Sequence, residues 1–205
     1  MTVAMAMKVD NSPHLSDKEL LFALIDGDKE SFTILVDRYK NRLINFVYRF
    51  VKDYDISEDI VQETFLRVYR KRREYKAIAN FSTWIFTIAA NLAKSELRRR
   101  KRWRFFSINT DNEDEKNIEL PSTGLEPDRA TISRMIDENI QEALDSLQEK
   151  YKESLILRDV EGMSYLEIAE IVGVPVGTVK SRVNRARLKM QKKLKGHTPH
   201  DEIIK

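Results

Sequence analysis

The chain has 205 residues, 34% of them charged, with 36 Lys+Arg against 33 Asp+Glu, a net charge of +3 and no cysteine. That composition excludes disulfides, thiolate metal sites and cysteine redox switching, and the histidines at 14, 197 and 200 lie too near the ends to build a catalytic or metal cluster. No apolar run approaches the roughly 20 residues that span a bilayer, and residues 1–13 lack a signal-peptide core, so a cytoplasmic protein with no membrane insertion is expected.

The hydrophobic periodicity is helical nearly throughout, and no stretch alternates as a strand. Ser16 and Glu19 have the spacing of a capping box, which predicts a short helix that Gly27 closes. From Lys29 to Val51, Phe32, Leu35, Val36, Tyr39, Leu43, Phe46, Val47 and Phe50 form one unbroken stripe. Asp55 or Ser57 starts the next helix, with Ile60, Val61, Phe65, Val68 and Tyr69 as its apolar side. A break over 75–80 follows, then a helix from Ser82 or Thr83 to about Arg102 with Trp84, Ile85, Ile88, Ala89 and Leu92 inward. Four such helices, rich in aromatic residues, can close a core of their own.

Residues 103–127 carry no such pattern. They are polar and acidic, with Pro121, Gly124 and Pro127, and read as a flexible linker. Helical spacing restarts at Asp128 (Ile132, Ile136, Ile140, Ala143, Leu147), and a further helix holds Tyr151, Leu155 and Ile156. The expected fold is all-α: two small helical domains, 15–102 and 128–195, with 196–205 as a frayed tail.

The segment from Met163 to Leu194 closes the second domain. Ser164 and Glu167 repeat the capping-box spacing, and Leu166, Ile168, Ala169, Ile171 and Val172 supply the buried side of a short helix. Gly173 can take the left-handed conformation that ends it, and Pro175 cannot continue it. Val179, Val183, Ala186, Met190 and Leu194 then mark one stripe on a longer basic helix. Thr178, Ser181, Arg185 and Leu188 point away from that stripe, flanked by Lys180, Arg182 and Asn184. Small hydrogen-bonding residues near a helix N-terminus, with arginines beyond, suit base edges and phosphates in a major groove. The arrangement reads as a helix-turn-helix; the competing reading is a helical hairpin with a solvated basic face.

The first domain argues against a plain repressor. Its last helix couples Phe81, Trp84 and Phe86 to a basic run from Arg98 to Arg102, and rings beside cations suit single-stranded DNA. The competing reading places Phe81, Trp84 and Phe86 all in the core, and is preferred for Trp84 and one of the phenylalanines, with the basic run left as a solvated face. Upstream, Asp53, Asp55, Glu58, Asp59 and Glu63 make the exposed side of a helix acidic, a face that repels phosphate and suits a basic protein surface. Acids at a helix N-terminus are also favoured by the macrodipole, which covers Glu58 and Asp59 but hardly Gln62 and Glu63.

Four segments carry a resemblance: SFTILVDRYKNRLINFVYRFV, SEDIVQETFLRVYR, FSTWIFTIAANLAKSELRRRKR and LRDVEGMSYLEIAEIVGVPVGTVKSRVNRAR. Together they resemble the extracytoplasmic-function, or group 4, sigma factors of bacterial RNA polymerase, of the RpoE-like type in the sigma-70 family. The resemblance covers 15–102 and 128–195. It implies that the first domain is sigma region 2 and the second region 4, with a core RNA polymerase (the β′ clamp helices and the β subunit), promoter DNA and an anti-sigma factor as partners. It implies docking on polymerase through Asp59, Gln62, Glu63 and Phe65. Capture of the −10 element would fall to Arg67, Tyr75, Phe81, Trp84, Asn91, Arg98 and Arg99. The −35 element would be read by Thr178, Lys180, Ser181, Arg182 and Arg185, with Asn184 a departure that shifts preference.

No pocket signature or phosphate-cradling glycine loop accompanies the acidic pairs, so no catalytic residue, cofactor or metal is expected. Two other functions remain open on the residues alone. One is a stand-alone helix-turn-helix regulator binding duplex operators as a dimer; the other is a protein-interaction module such as an anti-sigma decoy. The acidic helix beside the aromatic-basic one opposes the first, and the intact groove-facing set at 178, 181 and 185 opposes the second.

Overall fold

The computed structural model describes residues 15–75, 80–107 and 139–195, with the side chains of 104–107 left aside. The described residues are helical and contain no strand. They fall into two compact units, divided after Arg102.

In the first unit, α1 (Asp17–Asp26) opens on the expected capping box: the Ser16 backbone N–H donates to Glu19 at 2.8 Å, and the Glu19 N–H donates back to the Ser16 hydroxyl at 3.3 Å. Gly27, at φ 109°, ends it in a left-handed conformation that a side chain would strain. Helix α2 (Lys29–Val51) buries Leu35, Tyr39, Leu43, Phe46, Val47 and Phe50, while Phe32 and Val36 lie half-buried at the edge of the stripe. It stops at Lys52, which takes a left-handed φ of 55°.

Helix α3 (Tyr54–Lys71) begins earlier than expected, because Asp53 rather than Asp55 or Ser57 is its cap: the Asp53 carboxylate accepts the Ile56 N–H at 3.1 Å. Ser57 instead turns inward and donates its hydroxyl to the Asp53 carbonyl at 2.6 Å. A single 3₁₀ turn (Arg72–Glu74) follows. Helix α4 (Phe81–Ser107) is longer than expected at both ends. Its first turn starts at Phe81, with the Asn80 carbonyl accepting the Trp84 N–H at 3.1 Å, and its last turns take in 103–107 of the expected linker. The rest of that linker, the spacing from Asp128 through Ile136, the N-terminal 14 residues and the tail from 196 lie outside the described residues.

The rings of α2 and α4 lock the unit together. Phe46 meets Phe86 edge-on at 5.2 Å and Phe50 at 5.1 Å. Such pairs add about 0.5–1.5 kcal/mol each beyond their burial. Arg100 completes the closure from α4: it donates to the Val51 carbonyl at 2.9 Å and to Asp53 at 3.2 Å. One side chain thus joins the end of α2 and the start of α3.

The second unit comprises the helical residues 139–145, then α5 (Glu149–Leu155), a π-helical turn (Ile156–Val160), α6 (Tyr165–Val172) and α7 (Val176–Lys195). Ala143, Leu144, Leu147, Ile156, Leu157, Ile168, Ile171, Val179, Val183 and Ala186 form its core. The π turn is closed by the Glu161 N–H donating to the Ile156 carbonyl at 3.0 Å. It brings Arg158 round to donate to the Met163 carbonyl at 2.6 Å, and Asp159 to accept from Arg187 at 3.0 Å.

Candidate nucleic-acid and polymerase interface

In the second unit a helix-turn-helix is built as its residues dictate. Ser164 and Glu167 cap α6 reciprocally, and Gly173 at φ 67° reverses the chain, its N–H donating to the Ala169 carbonyl. The Pro175 carbonyl then accepts the N–H groups of Thr178 at 2.9 Å and Val179 at 3.1 Å to launch α7. Val179, Val183 and Ala186 are buried; Met190 and Leu194, the far end of the stripe, are only partly covered. Leu166, expected in the core, is instead 68% exposed, because Ile168 and Ile171 alone face the neighbouring helices.

Lys180, Ser181, Asn184 and Arg185 are exposed on α7, whereas Thr178 and Arg182 are half-buried. Ser181 donates to the Thr178 carbonyl at 2.9 Å, so its hydroxyl oxygen still offers lone pairs outward. Lys180 lies 5.8 Å from the Tyr165 ring centre and Arg158 lies 4.6 Å from it, a cation–ring cluster that sequence reasoning missed. The Arg185 guanidinium acts on the hydroxyl of Tyr151 on α5, a residue expected only as core, and draws its pKa down. A tyrosine carries both a ring and a polar tip, and periodicity registers only the ring.

In the first unit, two exposed faces of opposite character stand on different helices. On α3, Asp59 and Gln62 are exposed and Glu63 is half-exposed. Leu66, 48% exposed, continues the same stripe one turn on and was not singled out by its sequence. Phe65 points the other way: it is 7% exposed, with its ring edge-on to Phe32 at 6.2 Å, because it shares the core side with Val61 and Val68. It can support the acidic face from beneath but not present itself on it. Arg67 pairs with Glu63 at 2.7 Å and so belongs to this α3 face.

On α4 the aromatic residues form a graded cluster. Phe81 is 3% exposed and meets Tyr39 edge-on at 5.3 Å, so it is core, as the competing reading had it for one phenylalanine. Phe86 is buried as well. Trp84, expected in the core, is instead half-exposed, 6.2 Å from Phe81 and 5.2 Å from Tyr75, so the rings run from Tyr39 in the core to Tyr75 at the edge. Burial, with the Asp17 carboxylate adding to it, pushes the Tyr75 phenol above its usual pKa.

Further along α4, Asn91, Ser95 and Arg98 are linked. Ser95 donates to the Asn91 carbonyl at 2.8 Å, and Arg98 donates to Ser95 at 3.1 Å. At about 100° per residue, Trp84, Asn91, Arg98 and Arg102 fall within roughly 40° of one another, one exposed track along the helix. The basic run is therefore divided. Arg98, Arg102 and Trp103 are exposed, Arg100 is committed to Val51 and Asp53, and Arg99 pairs with Glu96 at 2.7 Å. Hydrogen bonds from Arg99 first, then from Arg100, hold the Glu96 carboxyl below its ordinary range.

Among the described residues there is no group of His, Cys, Asp or Glu that could hold a metal, and no helix is long and apolar enough to cross a membrane. The geometry supplies binding faces.

Known proteins match both units. Residues 35–103 match the family described as Sigma-70 region 2, and residues 137–190 match Sigma-70, region 4. The ECF RNA polymerase sigma-E factor of Haemophilus influenzae is 35% identical over 184 residues, 88% of this chain and 96% of that protein. The ECF RNA polymerase sigma factor SigW of Bacillus subtilis is 31% identical over 82% of this chain and 91% of its own. Among solved structures, the sigma factor RpoE from Bartonella quintana, in complex with the anti-sigma factor NepR, is similar with a TM-score of 0.65 and 28% identity over 82% of this chain and 99% of that one. The chain belongs to the extracytoplasmic-function group of sigma-70 factors, the subunits that direct RNA polymerase to promoters.

Proposed function

We propose that residues 15–102 and 128–195, tethered by 103–127, divide one promoter between them while the first unit also docks on polymerase. The acidic stripe of Asp59, Gln62, Glu63 and Leu66 on α3 meets a basic surface of the core enzyme, with Phe65 holding that stripe from below. The track on α4, from Trp84 through Asn91 to Arg98, follows the −10 strand, with Tyr75 and Trp84 at its aromatic end and Phe81 fixing their position. Helix α7 enters the major groove at −35, where Lys180, Ser181 and Arg185 reach base edges and phosphates, with Thr178, Arg182 and Asn184 beside them. Arg67 serves by pairing with Glu63, and Arg99 stays near the DNA track while paired with Glu96.

The observation that carries this reading is the separation of two faces on one unit, acidic on α3 and aromatic-basic on α4. A stand-alone operator-binding regulator needs no acidic face beside its DNA track. The mechanism is exchange of contacts: unstacking a base costs a few kcal/mol, which ring and cation contacts offset. The bond-forming chemistry is left to the polymerase, and the chain works in the cytoplasm, where the DNA is. An anti-sigma factor, like the one bound by its Bartonella relative, is the natural partner that would hold it inactive.

Transcription in vitro on a promoter library, with purified core polymerase with and without this chain, is the test. Transcripts that appear only with the chain and share −35 and −10 elements are expected. An unchanged transcript set would overturn the reading.

A further inference from the structure

Tyr151 occupies an unusual electrostatic position. It is half-buried on α5, which packs against α7. Lys150 lies 5.1 Å from its ring centre and Lys189 lies 5.3 Å from it. The Arg185 guanidinium acts on its hydroxyl from α7. Several cations among the described residues pair with carboxylates: Arg67 with Glu63 at 2.7 Å, Arg99 with Glu96 at 2.7 Å, and Arg187 with Asp159. Among the described residues, Lys150, Arg185 and Lys189 have no such carboxylate, and their contacts converge on one phenol. The Arg185 guanidinium, with the two lysine charges, draws that phenol below its usual pKa, which marks a local surplus of positive charge.

Three cations held around a neutral ring, with no internal counterion, form an anion site. The phenol can donate its own proton to an outside acceptor. We propose that Lys150, Tyr151, Arg185 and Lys189 together bind one backbone phosphate of the promoter duplex beside the groove that α7 enters. The proposal rests on the reading of the second unit as the −35 binder. It also gives Arg185 a backbone duty in addition to any base it reaches, and it assigns a DNA contact to α5, outside the helix-turn-helix.

The test uses holoenzyme assembled from the full chain and core polymerase, binding duplex promoters that carry a single neutral methylphosphonate at successive positions through and around −35. At one position the neutral linkage should weaken wild type about tenfold, the scale of one charged hydrogen-bonded contact. The Lys150→Gln/Lys189→Gln double variant should lose about tenfold evenly across −35 sequences and shallow the log–log salt slope by about 1–2. At that same position it should lose no more than about twofold further, since the contact is already gone. Tyr151→Phe, which keeps the ring and removes the proton donor, should show a partial loss at that position alone. Both lysines are exposed, so unchanged thermal melting of the double variant is expected.

If every methylphosphonate costs the double variant as much as wild type, the phosphate site is overturned while −35 reading by α7 stands. If the variant binds DNA normally and loses affinity only for an acidic protein partner, the site serves that partner and the proposal falls. If wild-type holoenzyme shows no −35 base preference, the reading of the unit fails and the proposal fails with it.

Discussion

Tyr39 on α2 donates its hydroxyl to the carboxylate of Asp17, the first residue of α1, while its ring meets Phe81 edge-on at 5.3 Å. Asp17 also accepts from Arg38, whose other nitrogen donates to the Leu15 carbonyl at 3.1 Å. The start of α1 is thereby pinned to the residue that starts α4. The aromatic end of α4, proposed to meet the −10 strand, is thus held from the core outward.

Tyr39→Phe removes that hydroxyl while leaving Asp17 its bond to Arg38, so a loss of about 1 kcal/mol in urea unfolding is expected. Its pH dependence is more telling. Burial, then the Asp17 carboxylate, raises the Tyr39 phenol pKa well above its usual value. An unfolded tyrosine ionises near pH 10, so as pH rises the unfolded chain releases its proton first. The contribution is whole below about pH 10 and is lost above it. Wild type should therefore lose more stability than Tyr39→Phe between pH 8 and about 10.5; equal losses would show that the phenol is not held neutral.

Asp59→Lys with Gln62→Lys should abolish co-purification with core polymerase and leave melting within about a degree of wild type, since both side chains are exposed surface positions. Glu63 is the poorer choice for this test because its substitution also releases Arg67. Undiminished polymerase affinity in the double variant would remove α3 from the docking surface.

Phe81→Ala and Asn91→Ala should separate structure from opening. Phe81 is core, and its truncation is expected to cost about 3–5 kcal/mol, enough to unfold a marginal unit. Asn91 is exposed, so alanine there should leave melting unchanged while lowering permanganate reactivity of thymines near −10. Wild-type reactivity in Asn91→Ala would take that residue out of the track.

Arg98→Ala and Arg100→Ala should likewise part company. Arg100 holds Val51 and Asp53, so its loss is expected to destabilise the unit by about 1–3 kcal/mol in denaturant titration. Among the described residues Arg98 hydrogen-bonds only Ser95, so its loss should affect DNA binding and its salt dependence instead. The Glu96 carboxyl, held low by Arg99 and Arg100, adds stability above its unfolded pKa near 4.3 that is lost as pH falls through the lower folded value. Glu96→Gln should flatten the acid limb of the unfolding profile.

What the sequence made legible is local. Capping boxes at Ser16 and Ser164, and the left-handed glycines at 27 and 173, depend on residues three or four apart, and each occurs where its spacing implies. Periodicity gives the direction of a side chain around its own helix but not which neighbour covers that side. Leu166 therefore reads as core and lies in solvent; Phe65, placed by periodicity on the apolar side, is buried there, and Phe81, which the resemblance assigned to the −10 element, is buried as well. Arg100 is indistinguishable in sequence from Arg98 and Arg99, because its partners are 47 and 49 residues upstream. Tyr151 was hidden for the same reason, since Arg185 reaches it from another helix.

The π turn at Ile156–Val160 amounts to one residue more than an α-helix of the same length would hold. A single-codon deletion there would restore ordinary α-helical bonding with the flanking backbone keeping its direction, so the cost would fall on the side chains that the wide turn itself presents. Arg158 would leave Met163 and Tyr165, and Asp159 would leave Arg187. In lineage terms this position is a ratchet. A gene can gain the residue freely, but once those three partners have adapted to it, losing the codon breaks several contacts at once, and length at this point should vary less than the amino acids that fill it.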